Sequence, residues 1–302
     1  MAATIMLVKK TKDKEISNDG FRIYRLINDY IQRTQCGVLR GMMASRNRSR
    51  IGSFKISGAS TEKSFHAANS LGRIKALLAL ILLIPVQSLA TIIFFWCSDA
   101  IICKSFIMIC RLWLLFLPIL WLKFMDHGEW SWSPPKLGGF RTATFSGLII
   151  SAVIFSSYMI AGRLGVPYTA KILESAARTG LNRPAVFIAA ALYWITCNSL
   201  IEEYLWRWFA FRKFEVLLGG KRAVAATALA FTAHHVLVLA AQFHWIIVIA
   251  GSSGVFLGGM IWSRLYMRYR SVWPCYLSHA IVDASIFIVG YRLIFSGQST
   301  VG

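Results

Sequence analysis

Seven apolar stretches run through this chain, at 76–96, 105–122, 142–162, 185–206, 223–243, 245–262 and 273–295. Each approaches or exceeds the ~20 residues that a helix needs to cross the hydrocarbon core of a bilayer. A strand cannot satisfy its backbone groups alone in lipid, whereas a helix can, so repeated apolar runs of this length predict helical spans. Only 15% of the 302 residues are charged, against about 25% in soluble domains. The expected fold is an all-α polytopic membrane protein of about 7–8 transmembrane helices.

The charge is unevenly placed. Residues 1–75 hold fifteen Lys and Arg against five Asp and Glu, within a formal net charge of +20. We read 1–72 as a basic cytoplasmic N-terminal extension and 73–300 as a multi-pass membrane domain. A basic arm beside anionic headgroups explains these residues without nucleic acid, so no nucleic-acid partner is expected. Basic residues also gather at 207–222 and 263–271, which the positive-inside rule places in the cytoplasm together with the N-terminus. The segment 163–183, with four basic residues against Glu174, falls on the opposite side and dissents. Cys97, Cys103, Cys110, Cys197 and Cys275 lie in or beside apolar runs without paired spacing, so packing is their expected role and no disulfide framework is implied.

Ionisable groups inside spans cost about 2.5–3.5 kcal/mol each on insertion scales and are functional by default. Three regions carry them. Ile201-Glu202-Glu203-Tyr204-Leu205-Trp206-Arg207 places Glu203 and Arg207 four apart, on one helix face, where they can pair. Glu202 lies about 100° round the helix, on the face with Asn198. Phe231-Thr232-Ala233-His234-His235 offers two adjacent histidines that face different ways, so one at most serves a shared site. Leu277-Ser278-His279-Ala280-Ile281-Val282-Asp283 sets His279 and Asp283 at i,i+4. Each group alone also suits a bland reading: hydrated helix-end carboxylates, a packing histidine, a satisfied buried pair. Three apolar helices carrying such groups together point to one polar catalytic cavity among the C-terminal helices, with the core at 185–295.

In this order the groups resemble the CAAX-protease and bacteriocin-processing (CPBP, Abi) family of intramembrane glutamic endopeptidases, whose pattern is EExxxR, FxxxH, then HxxxN or HxxxD. The matching residues are Glu202-Glu203 with Arg207, Phe231 with His235, and His279 with Asp283. The resemblance implies a peptidase, with Glu202 as general base, His235 helping it to activate water, His279 and Asp283 stabilising the oxyanion, and Glu203 and Arg207 in support. Its substrate would be a membrane-tethered protein or peptide, processed at a CAAX-type C-terminus or as in bacterial peptide maturation. The protein would be integral to the membrane, in a bacterium the cell inner membrane.

The chemistry suits peptide hydrolysis. A carboxylate in a low-dielectric cavity is a stronger base than one in water, and each donor aimed at a tetrahedral oxyanion is worth about 2.7–4 kcal/mol. An ionised Asp283 cannot donate a hydrogen bond; it would have to be protonated, to orient His279, or to bind metal. Glu202, His235, His279 and Asp283 form an N/O set of the kind zinc accepts, but no HExxH helix is present. Metal-free catalysis without a cofactor ranks ahead of the zinc-dependent reading, although a metallopeptidase label would suit such a protein too. Two further classes compete: a catalytically silent immunity or scaffolding factor of the same fold, and an ion or solute transporter using the same buried groups.

Overall fold

The computed structural model describes residues 58–97, 100–165 and 170–296, with side chains for 70–97, 101–165 and 170–295. Most of the expected extension, residues 1–57, lies outside the described residues. From Ala59 the chain forms one compact unit. Among the described residues all regular structure is helical.

The helices are α1 (Gly58–Trp96), α2 (Ala100–Phe124), α3 (Phe140–Arg163), α4 (Ala170–Thr179), α5 (Pro184–Leu218), α6 (Gly220–Gln242), α7 (Trp245–Tyr269) and α8 (Val272–Tyr291). All except α4 are long and apolar enough to cross a membrane, which makes seven spans in an integral multi-pass protein. Their outer faces carry exposed leucine, isoleucine and phenylalanine, as at Ile81, Ile109 and Ile149. Lipid is the solvent that tolerates such faces, because a soluble monomer rarely exposes contiguous apolar patches of this extent. Pro85 and Pro118 lie within α1 and α2, whose helices continue past them.

Three features depart from the sequence reading. The segment 163–183, which lies between two apolar stretches and carries no expected element, contains the amphipathic α4, whose Ile172 and Ala176 pack with Phe187 and Ile294. The region 207–222, taken as a basic cytoplasmic loop, is mostly helix: α5 runs to Leu218 and turns into α6 at Gly219, whose φ of +80° suits a residue without Cβ. Arg207 and Lys213 stay in the helix because each has a carboxylate partner, Glu203 and Asp126. Cys97 and Cys103, expected only to pack, form a disulfide that joins the end of α1 to α2.

Contacts sort the turns onto two ends of the bundle. At one end, the loop after α2 meets the end of α5 through Asp126 and Lys213, and the start of α8 through Ser133. Ser133 holds φ +52° while its Oγ accepts the Val272 N–H at 3.1 Å and its carbonyl accepts the Ser271 hydroxyl at 2.6 Å. At the other end, Ser175 of α4 donates to Gln242 at the end of α6 at 3.1 Å.

Glycine and serine bring the helices of the site together. A Cβ on Gly147 of α3 would stand 3.0 Å from the Ser278 carbonyl of α8, and one on Gly259 of α7 would stand 3.2 Å from Ala228 Cα of α6. Small residues let backbones approach closely where lipid gives no hydrophobic drive to associate.

Candidate active site

The site is built on α5, α6, α7 and α8. Two π-helical runs, Trp194–Asn198 and Tyr204–Phe211, flank a single α-helical turn, Ser199–Glu203. Such bulges alter which residues share a face and are frequent at functional sites. The two adjacent glutamates therefore sit on a short regular turn between two widened ones.

Glu203 and Arg207 are fully buried and paired, Nη1 to Oε1 at 2.7 Å. The guanidinium lies between two aromatic rings, 4.8 Å from the Phe231 centroid and 5.1 Å from that of Trp262. The same Glu203 Oε1 accepts from His279 Nδ1 at 2.8 Å. Because a carboxylate oxygen only accepts here, the Nδ1 proton is fixed on the side of Glu203 and Nε2 faces the other way. Glu203 is thus both the counter-ion of Arg207 and the orienter of His279.

On that other face, His279 Nε2 is 3.8 Å from Glu202 Oε2 and 3.6 Å from Asp283 Oδ1. Both separations exceed hydrogen-bond length. Each carboxylate is anchored through its remaining oxygen: Asn198 Nδ2 donates to Glu202 Oε1 at 2.9 Å, and the Ser199 hydroxyl lies 2.6 Å from Asp283 Oδ2. Ser199 Oγ is also 2.9 Å from the Trp194 carbonyl, at the first π-helical run. Its single proton serves one of these two acceptors at a time.

His235 joins from α6. Its Nδ1 is 2.9 Å from the Phe231 carbonyl, which accepts only, so Nδ1 carries the proton and Nε2 is the nitrogen left for proton exchange. Glu202, His279 and Arg207 lie within electrostatic reach of it. His234 points elsewhere, stacking on Trp206 at 5.8 Å with the planes 8° apart. The two adjacent histidines thus face different ways.

Glu202, His279 and Asp283 therefore converge directly, Glu203 and Arg207 support them from behind, and His235 borders them through Phe231. Ser199, Ser278 and Trp262 escaped the sequence reading. Serines and an aromatic in apolar helices give no signal of their own, and their contacts cross between helices. Among the described residues no group of three or more His, Cys, Asp or Glu is arranged to hold a metal ion.

An apolar cavity of about 250 Å³ adjoins α5, lined by Pro118, Trp130, Ile201, Tyr204, Leu205 and Trp273 among others. Ile201 and Tyr204 belong to the same stretch of helix as Glu202. The loop after α2 closes one wall, with Trp130 stacked on Tyr204 at 4.9 Å and the Tyr204 hydroxyl donating to the Ser131 carbonyl at 2.6 Å.

Comparison with known proteins gives one relationship. Residues 184–285 match the family model described as Type II CAAX prenyl endopeptidase Rce1-like, so the segment from α5 into α8 is similar to a family of CAAX prenyl endopeptidases. The match contains all three motif groups and agrees with the resemblance read from them. No curated protein and no solved structure matches the chain.

Proposed function

We propose that this protein is an intramembrane endopeptidase that uses Glu202 to activate water against a peptide bond of a membrane-tethered protein or peptide. The observation that carries this reading is the flanking of His279 Nε2 by Glu202 Oε2 and Asp283 Oδ1 at 3.8 and 3.6 Å, with Nδ1 held by Glu203. In this mechanism the Glu202 carboxylate, with His235 beside it, takes a proton from water. The water oxygen bonds to the scissile carbonyl carbon, and the oxyanion accepts from His279 Nε2–H. Collapse of the tetrahedral intermediate breaks the C–N bond, and the proton held by Glu202 passes to the leaving amine. Asp283, anchored beside Ser199, fixes the position of His279. In this reading no step uses a metal.

The apolar cavity next to Ile201 supports a substrate delivered from the bilayer, as in CAAX-type C-terminal processing. For sidedness, the end carrying Lys213, Arg222 and Arg270 faces the cytoplasm by charge. The Cys97–Cys103 disulfide belongs to the opposite end and suits an oxidising compartment there, since disulfides are rare in the cytosol. Thiols at that turn should be alkylated by a membrane-impermeant maleimide in intact cells only after reduction. Labelling from the cytoplasmic side would reverse the assignment.

The function is tested with purified, detergent-solubilised protein on a library of prenylated and unmodified membrane peptides, with and without a chelator. We expect chelator-resistant cleavage that Glu202→Gln lowers by about 10²–10⁴-fold. Cleavage abolished by chelator and restored by zinc would replace the glutamate mechanism with a metal one. A folded wild type that cleaves nothing, in cells where Glu202→Gln has no phenotype, would favour the silent scaffold.

A further inference from the structure

Helix α7 contributes none of the motif residues, yet its Trp262 lies at the centre of the site. Its ring stacks on His279 with centroids 4.1 Å apart and planes 20° apart. The Arg207 guanidinium stands 5.1 Å from the same ring, and Phe231 meets it edge-on at 6.0 Å. Trp262 is held through both its side chain and its backbone. Its Nε1–H donates to Ser278 Oγ at 3.1 Å, itself 3.0 Å from Ser146 Oγ, and its own carbonyl accepts from Cys275 Sγ at 3.3 Å. The outer edge of the ring faces Gly258, where a Cβ would meet it in ordinary contact at 3.6 Å.

We infer that Trp262 is a positioning residue for His279. Resting on the proposed function, its role has two parts. The ring blocks rotation of the imidazole about its Nδ1 anchor on Glu203, which keeps Nε2 aimed between Glu202 and Asp283. Its π face also meets a ring that is cationic whenever both Nδ1–H and Nε2–H donate. Attraction between that cation and the aromatic face holds the imidazolium in the orientation from which Nε2–H reaches the oxyanion, and a donor misplaced from that position costs rate. A purely structural tryptophan would serve stability and leave kcat alone.

Two substitutions and two readouts test this. Trp262→Phe keeps an aromatic face and loses only the bond to Ser278; Trp262→Leu keeps apolar bulk and loses the face. With histidine ring-labelled protein in detergent, and Trp262-intact His279→Gln used to assign the signal, the His279 ring proton should resonate upfield in wild type and Trp262→Phe. It should move downfield in Trp262→Leu. On a cleaved peptide, Trp262→Leu should lower kcat roughly 5–30-fold with KM unchanged, and Trp262→Phe should retain most of the rate.

An unmoved His279 resonance, or a wild-type kcat in folded Trp262→Leu, overturns the inference. So does a Trp262→Phe variant as slow as Trp262→Leu. If Trp262→Leu does not fold, the decision falls to Trp262→Phe, which must keep both the upfield resonance and the rate. Should the wild type cleave nothing, the proposed function fails separately, and the resonance alone decides whether Trp262 positions His279.

Discussion

Glu202 and Glu203 are neighbours of identical chemistry on one helical turn, and the two sides of α5 they occupy are built for opposite purposes. On the Glu203 side the ion pair is fully buried. One carboxylate oxygen accepts from Arg207 and from His279, while Phe231 and Trp262 close over the guanidinium. On the Glu202 side the carboxylates are anchored through one oxygen each and present the other beside His279 Nε2. A fully buried ion pair and a partly exposed pair of carboxylates meet at one imidazole. The first fixes a geometry, and the second leaves capacity for a reacting group.

The contrast is broken most severely at Glu203. Glu203→Gln leaves Arg207 charged, buried and without its counter-ion, which should cost about 3–5 kcal/mol. We expect a large fall in Tm in detergent together with lost activity. Glu202→Gln should lower activity by about 10²–10⁴-fold while moving stability by less than about 1 kcal/mol, because the amide keeps the shape and Glu202 is the less buried of the two. Equal losses of Tm in the two variants would dissolve the distinction between the sides. Asn198→Ala should act least on activity; it removes one hydrogen bond to a carboxylate, worth about 1.5–3 kcal/mol at most. Its mark should be a lower kcat together with a fall in Tm smaller than that of Glu203→Gln, and a drop confined to Tm would make Asn198 a packing residue instead.

The sequence held much of this because its strongest signals are local. Span length and hydropathy mark the seven membrane helices, and an ionisable residue in an apolar run announces itself wherever its partner lies. The i,i+4 pairing of Glu203 with Arg207 and the shared face of Glu202 and Asn198 follow from helical spacing. Helix periodicity is also why other features stayed hidden. The π-helical runs break the 3.6-residue repeat without an identifying residue, so Ser199 meeting Asp283 across 84 positions could not be read. Trp262 looks like any aromatic in a span until α7 is docked on α8. The amphipathic α4 was obscured by flanking Gly and Pro, and the Cys97–Cys103 bond by a spacing of six that fits no familiar pair. The long α5 was cut short at Trp206 because basic residues suggested a loop, whereas Glu203 and Asp126 neutralise them inside the helix.

The support under α8 bears on what counts as the smallest working unit. The segment similar to the endopeptidase family spans 184–285, but the helix that delivers His279 and Asp283 rests on residues well upstream of it. Ser133 caps its first turn, Ser146 reaches Ser278, Gly147 admits the Ser278 carbonyl and Ser151 bonds the Ile281 carbonyl at 3.3 Å. Cutting the chain back to the recognisable motifs would leave α8 without the surface that sets its height and rotation. The chemistry is portable as a pattern of residues, but not as a fragment: a graft or minimal enzyme would have to carry the Ser133 loop and α3 with it.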